Sequence, residues 1–124
     1  FVGFALETCV NKGATRVTII GHIGKMCKIA YGCFNTHSKV CGVRLEVIAL
    51  EMALLGYDME FVKRILNEKT TDGAVNTLGK GNEKLYQNIA KKIKSSAATY
   101  IHGEVDIDVL VYKGTVDSEI LAKA

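Results

Sequence analysis

The two β-type segments of this chain lie near its two ends, and most residues between them have helical periodicity. Residues 16–20 (RVTII) are apolar and β-branched on both sides of the pleat, which is typical of a central strand covered by helices on both faces. Val105, Ile107, Val109 and Val111 alternate with other residues and predict a second strand. The resulting order of helix, strand, helices and strand predicts an α/β fold with a small, mostly parallel sheet flanked by several helices.

Amphipathic stripes predict the helices that flank this sheet. Helices are expected over residues 2–12, 25–32, 43–55 and 85–101, with two short ones capped by Asp58 and Thr71. The lysines at 91, 92 and 94 of the long helix are expected to face solvent. The tail after Gly114 fits either a last strand or a helix stub.

Size and composition limit the classes of protein to consider. The chain has 124 residues, 48% of them hydrophobic, which suits one ordinary domain with a real core. A net charge of +3, with 7% aromatic residues and no Trp, gives no stacking surface for bases, so no nucleic-acid partner is expected. No apolar run approaches the roughly 20 residues that cross a bilayer. A cytoplasmic protein without membrane contact is therefore predicted.

Charge is distributed unevenly along the chain. No aspartate or glutamate occurs between Thr8 and Leu45. This window, the acid-free window, contains Lys12, Arg16, Lys25, Lys28, Lys39 and Arg44, with His22 and His37. A negatively charged ligand is expected to dock here.

A glycine turn with a lysine follows the first predicted strand inside this window. In the sequence Gly21-His22-Ile23-Gly24-Lys25, free N–H groups at the start of a helix would attract a phosphate or a carboxylate. The spacing matches neither a Walker loop nor a dinucleotide fingerprint. An ordinary strand-to-helix turn with a solvated lysine explains the motif equally well.

Four consecutive polar residues, Asn35-Thr36-His37-Ser38, form the second motif of the window. Imidazole exchanges protons near neutral pH, so His37 is the first candidate for a catalytic residue and His22 the second. A helix-capping run would explain the same residue types.

The cysteines do not predict a metal site. They lack C-x-x-C spacing and are expected to be buried, reduced thiols. Cys33, His37 and Cys41 are four residues apart, which could align three ligands on one helix. Gly32 and Asn35 make that helix improbable and no fourth ligand is evident, so no metal is predicted.

The stretch IGHIGKMCKIAYGCFNTHSKVCGVRLEVIALEMALLG, preceded by FVGFALE, resembles the CbiD family of cobalamin biosynthesis. The motifs GHIGK, FNTHSK and the following R-x-E carry the likeness, which covers this whole chain but only the C-terminal part of a family member. Residues 1–124 are thus expected to form one α/β domain of a longer enzyme whose N-terminal domain is missing here. Cys27, Cys33 and Cys41 depart from the small or aliphatic residues expected at these positions.

The resemblance implies a cobalt-precorrin-5B C(1)-methyltransferase of the anaerobic pathway. Such an enzyme transfers a methyl group from S-adenosylmethionine to ring carbon 1 of a cobalt-containing tetrapyrrole, and the basic residues would bind the carboxylates of that macrocycle. The expected substrate-binding residues are Lys25, Lys28, Asn35, Thr36, Ser38, Lys39 and Arg44. Gly21 and Gly24 are expected to bind the cofactor, and His37 and His22 to assist proton balance.

Two other interpretations of the sequence stay open. The basic window could hold a nucleotide or an organic acid in a non-catalytic small-molecule-binding module. The chain could also be a structural domain of a larger enzyme.

Overall fold

The computed structural model describes residues 2–34, 43–103, 105–114 and 117–124. These ranges contain six helices and three strands. In chain order they are α1 Val2–Asn11, β1 Arg16–His22, α2 Ile23–Ala30, α3 Leu45–Leu54, α4 Met59–Leu66, α5 Thr71–Leu78, α6 Glu83–Tyr100, β2 Asp106–Lys113 and β3 Glu119–Lys123. The α/β class predicted from the order of elements is confirmed, and the tail forms a strand.

The described strands form one mixed sheet in the order β1-β2-β3. β1 and β2 are parallel, from Arg16 opposite Asp106 to His22 opposite Tyr112. β3 pairs with β2 in the antiparallel direction. The prediction of a mostly parallel sheet is therefore only partly right. A parallel pair needs a long crossover, which the helices supply, whereas the short connection after β2 can only reverse the chain.

β2 is the central strand of this sheet. Its side chains Ile107, Val109 and Val111 are buried. In β1, by contrast, Ile19 is only half-buried and Ile20 is 62% exposed. The prediction of β1 as a covered central strand is wrong, because β-branched composition favours a strand without fixing its position in the sheet.

The long helix α6 organises the core. Its buried stripe consists of Leu85, Tyr86, Ile89, Ala90, Ile93 and Ala97. These residues face α2, α3, β2 and β3, all of which contact α6. Burial of each large aliphatic side chain is worth about 1.5–3 kcal/mol, so the stripe accounts for much of the packing energy. No helix in the described ranges combines the length and apolar character needed to cross a membrane.

Three local predictions need correction. β1 runs through Gly21 to His22, so α2 begins directly at Ile23. The residue that caps α5 is Thr70, whose Oγ1 accepts a hydrogen bond from the N–H of Gly73 at 2.9 Å. Lys92 is not simply solvated, since its Nζ lies 3.4 Å from Glu51 Oε1 and donates to Tyr31 Oη at 2.9 Å.

Asp72, in the first turn of α5, connects three parts of the fold. Its Oδ1 accepts hydrogen bonds from Nε2 of His22 at 2.8 Å and from the backbone N–H of Gly114 at 3.1 Å. Nδ1 of His22 accepts from the N–H of Gly24 at 3.0 Å, so the ring carries its proton on Nε2 and donates to Asp72. The network holds α2, α5 and the carboxyl ends of the two parallel strands together.

The surroundings of Asp72 favour its charged form. Burial alone raises the pKa of the carboxyl group, but the hydrogen bonds from Gly114 and His22 and the charge of Lys113 lower it by more, to a value below the usual 3.8. A carboxylate with a depressed pKa stabilises the folded state at every pH above its ordinary pKa. That contribution is lost as the pH falls below about 3.8 through the folded-state pKa.

Replacement of Asp72 by Asn should therefore have a pH-dependent effect on stability. At neutral pH we expect Asp72→Asn to lower the free energy of unfolding by about 1–2 kcal/mol, because a charged acceptor of two hydrogen bonds is lost. The difference from the unsubstituted chain should shrink at an acidic pH below the folded-state pKa of Asp72, where both side chains are neutral. Urea unfolding at neutral pH and at that acidic pH measures the difference. Asp58→Asn is the control, since Asp58 makes no capping hydrogen bond; an equal loss for Asp72→Asn at both pH values would contradict the prediction.

Candidate functional site

The candidate site lies where β1 passes into α2, at the carboxyl end of the parallel strands. His22 is the last residue of β1 and the N-cap of α2, and its ring packs edge-on against Tyr112 at 5.8 Å between centroids. Both ring nitrogens are engaged, one with Asp72 and the other with Gly24. Proton exchange with a substrate would require one of these bonds to break. The catalytic role of His22 thus stays a prediction, and its visible role is to hold the start of α2.

Gly21 and Gly24 allow close packing of protein groups. A Cβ atom on Gly21 would lie 2.7 Å from Sδ of Met26, and one on Gly24 would lie 2.8 Å from Oγ1 of Thr71. Contacts this short require a shift, so both positions favour glycine for packing reasons. The close contact that the sequence predicted between these glycines and a ligand is occupied on these sides by Met26 of α2 and Thr71 of α5. Cofactor binding by the two glycines stays a prediction.

Three basic residues of the acid-free window converge between α2 and α3; we call Lys25, Lys28 and Arg44 the cation cluster. Lys25 and Lys28 are three residues apart and so neighbour each other on α2. Lys25 is exposed, whereas Lys28 is buried, with 3% of its surface accessible. Burial lowers the pKa of Lys28, and the positive charges of Lys25 and Arg44 lower it further. The three basic side chains therefore lie close enough for their charges to influence one another.

Arg44 is held at the start of α3. Its Nη2 donates to the backbone carbonyl of Lys69 at 3.3 Å, and its own backbone N–H donates to Oε2 of Glu46 at 3.2 Å. Lys69 lies in the loop between α4 and α5, so this bond ties the cation cluster to the α5 side of the molecule. The exposed guanidinium keeps further donors for a ligand.

Other basic residues of the window lie elsewhere. Arg16, at the opposite end of β1, pairs with Asp108 on the neighbouring strand, with Nε 2.9 Å from Oδ2. Lys12 is exposed between α1 and β1. The acid-free window is thus not one continuous surface, and only part of it forms the cation cluster.

The four residues of the polar motif and Lys39 lie outside the described residues. The motif consists of Asn35, Thr36, His37 and Ser38. The residues on either side of it are anchored. Phe34 stacks on Tyr100 of α6 at 4.1 Å between ring centroids, and Tyr100 Oη donates to Glu7 Oε1 at 2.8 Å. Arg44 anchors the other side through Lys69.

The cysteines follow the prediction in part. Cys27 is a buried free thiol whose pKa burial raises to about 12, and Cys9 is also free. Cys33 is disulfide-bonded, so the prediction of a reduced thiol is wrong for this residue. Among the residues that the structure describes, no three His, Cys, Asp or Glu side chains are grouped to hold a metal; His37 and Cys41 lie outside that set.

Asp72 is the residue of this region that sequence reasoning missed. It follows Thr70 and Thr71 in a run that reads as an ordinary helix start. Its partner His22 is 50 residues earlier in the chain, so local sequence carries no signal of the contact. Only the packing of α5 against α2 brings the two side chains together.

Comparison with known proteins gives consistent results. The family model described as CbiD, C-terminal domain, matches residues 35–124. A cobalt-precorrin-5B C(1)-methyltransferase of Clostridium botulinum (strain Eklund 17B / Type B) is 59% identical over 98% of this chain and 32% of its own length. Proteins of the same name from Clostridium perfringens (strain ATCC 13124) and Thermoanaerobacter sp. (strain X514) are 48% and 35% identical. They are matched over 98% and 100% of this chain, and over 33% and 34% of their own lengths.

The chain thus spans about a third of the length of the curated relatives that it matches. No solved structure matches it significantly. The family model covers most of the chain, and the relatives align along nearly all of it. This chain therefore belongs to the CbiD family, and it contains that family's C-terminal domain.

Proposed function

We propose that this chain is the C-terminal part of a cytoplasmic methyltransferase of anaerobic cobalamin biosynthesis. The reaction is transfer of a methyl group from S-adenosylmethionine to ring carbon 1 of cobalt-precorrin-5B. The relatives' name specifies the substrate and the position that is methylated. The structural observation that supports the proposal is the cation cluster, in which the positive charges of Lys25 and Arg44 lie close enough to Lys28 to lower its pKa.

The cation cluster suits a tetrapyrrole that carries several carboxylates. Charge-assisted hydrogen bonds from lysine or arginine to a carboxylate are roughly twice as strong as neutral ones. Arg44 is exposed and tied to the α4–α5 loop, and Lys25 is exposed on α2, so both can reach a ligand at the surface. These groups would fix the position of the macrocycle and not take part in bond formation.

The protein's main task in this reaction is alignment. S-adenosylmethionine, when bound, supplies a methyl group that is already activated on a sulfonium. The chain must then hold the ring carbon and the donor in line and manage one proton. We assign orientation of the ring to Asn35, Thr36, Ser38 and Lys39, and proton balance to His37. Gly21 and Gly24 remain candidates for contact with the donor.

A chimera tests the proposed function directly. In it, this chain replaces the matching third of the C. botulinum relative, to which it is 59% identical. We expect the chimera to transfer one methyl group to cobalt-precorrin-5B, as detected by mass spectrometry of the extracted corrinoid. A folded chimera that binds the macrocycle and S-adenosylmethionine without methyl transfer would instead indicate a binding module.

The cation cluster makes a prediction about affinity. Substitution of Lys25 or Arg44 by Ala in the chimera should weaken binding of a carboxylate-bearing cobalt tetrapyrrole by about tenfold each, because a charge-assisted hydrogen bond is lost. Absorbance titration of the corrinoid measures the dissociation constant. The methyl-ester form of the same macrocycle should bind equally to the substituted and unsubstituted proteins, since it lacks carboxylates.

Lys94→Ala is the matched control for these two variants. Lys94 is exposed on α6, and its replacement changes the net charge by the same amount. If this control weakened binding as much as Lys25→Ala, the loss would come from overall charge and the assigned contact would be refuted.

His37→Gln tests the proton-transfer role. We expect the turnover number of the chimera to fall by roughly 10²–10⁴, the usual contribution of a positioned acid or base, with little change in melting temperature. His102→Gln serves as the control, because His102 is exposed after the end of α6. Methyl transfer at the original rate by His37→Gln would refute the assignment.

A further inference from the structure

A second cleft opens at the same edge of the sheet as His22, between the α5–α6 connection and the strands β2 and β3. Its volume is about 420 Å³, enough for a small organic ligand. We call it the α5–α6 cleft. Its polar lining comes from Asn76, Lys80, Glu83, Tyr86, Lys113 and Glu119, and its apolar lining from Val75, Ile120 and Leu121. Among the described residues, those of the cation cluster do not line it.

Tyr86 is the first sign that the α5–α6 cleft receives a ligand. Its side chain lines the cleft and is 6% exposed. Among the described residues, its hydroxyl is the one buried side-chain polar atom without a hydrogen-bond partner. Burial, followed by the charges of Tyr57 and Glu119, raises its pKa to about 12, so the group is a neutral donor. An unpaired buried donor destabilises a fold unless a ligand supplies the acceptor.

The start of α6 supplies further donors to the α5–α6 cleft. The N-cap residue of this helix, Asn82, makes no side-chain capping hydrogen bond. Asn82 instead turns its amide toward the preceding loop, where Nδ2 donates to the carbonyls of Leu78, Gly79 and Lys80 at 3.1–3.2 Å. In a trans peptide the N–H points opposite to the carbonyl, so the N–H groups of Lys80 and Gly81 point away from Asn82. A helix N-terminus with free N–H groups favours a carboxylate.

The charges around the α5–α6 cleft distinguish it from the cation cluster. Two lysines, Lys80 and Lys113, line it together with two glutamates, Glu83 and Glu119. Lys113 Nζ lies 3.4 Å from Glu119 Oε2 and 3.4 Å from Asn76 Oδ1. A polyanion would meet both glutamates at close range and be repelled. A ligand that carries one positive and one negative group would match the equal numbers of lysines and glutamates in the lining.

We infer that the α5–α6 cleft binds the zwitterionic α-amino acid group of a small ligand. The carboxylate accepts hydrogen bonds from Tyr86 Oη and from the start of α6, and the ammonium faces Glu119. The apolar residues Val75, Ile120 and Leu121 contact the attached side chain.

This inference deepens the proposed function and rests on it for the identity of the ligand, since S-adenosylmethionine carries such a group. The cation cluster would then hold the macrocycle, and the α5–α6 cleft the amino acid end of the methyl donor. Asp72 links the two, because it bonds to His22 at the start of α2 and to Gly114, the neighbour of Lys113.

Calorimetric titration of the chimera tests the inference with three probes. S-adenosylhomocysteine and L-methionine carry the amino acid group, and 5′-methylthioadenosine lacks it. We expect Tyr86→Phe to weaken S-adenosylhomocysteine binding by about tenfold and methionine binding similarly, with no effect on 5′-methylthioadenosine. The same substitution should not lower the melting temperature of the ligand-free protein, because it removes a polar group that has no partner among the described residues.

Tyr31→Phe is the matched control, since it removes a phenolic hydroxyl that contacts Lys92 outside the cleft. It should leave all three affinities unchanged. Failure of S-adenosylhomocysteine and methionine to bind, equal affinities before and after Tyr86→Phe, or equal weakening of 5′-methylthioadenosine would overturn the inference. If the chimera transfers the methyl group but Tyr86→Phe leaves the affinity for S-adenosylhomocysteine unchanged, the inference about the cleft is refuted and the proposed function is not. If Tyr86→Phe weakens S-adenosylhomocysteine binding but the chimera transfers no methyl group, the proposed function is refuted and the inference about the cleft is not.

Discussion

Burial of one apolar stripe of α6 is the constraint on which the rest of the structure depends. The elements α2, α3, β2 and β3 pack against α6. Each of them carries or leads to a residue of a candidate site. α2 carries Lys25 and Lys28, α3 begins after Arg44, and β2 ends at Lys113. Interiors are close-packed, so a shift of α6 would displace all of them together. The geometry of the sites is therefore a consequence of core packing.

Two surfaces of different electrostatic character result from this arrangement. In the cation cluster, burial and the positive charges of Lys25 and Arg44 lower the pKa of Lys28. The α5–α6 cleft is balanced in charge. Asp72 bonds to the start of α2 and to the end of β2, so it fixes the elements that carry both surfaces. The reaction proposed above, between an anionic ring and a donor with an amino acid group, would use two different environments of this kind.

Much of the fold could be predicted because its signals are local. The stripe of α6 and the alternation in β2 repeat within a few residues, and both elements formed where expected. The place of β1 in the sheet could not be predicted in this way, since Ile19 and Ile20 favour a strand whether or not a neighbour covers them. The packing role of the glycine turn could not be predicted for a related reason. Gly21 and Gly24 are needed beside Met26 and Thr71, and Thr71 is distant in sequence from both.

The sequence by itself determined the classes of secondary structure, the absence of acidic residues around α2 and the motifs that carry the family resemblance. These properties depend on residue type and short-range spacing, which a chain has before it folds. The tertiary structure alone decided that Lys28 is buried and that Asp72 accepts hydrogen bonds from both His22 and Gly114. It also decided that the Tyr86 hydroxyl has no hydrogen-bond partner among the described residues. Each of these depends on contacts between residues far apart in the chain, and only the packing of helices onto the sheet brings such residues within bonding distance.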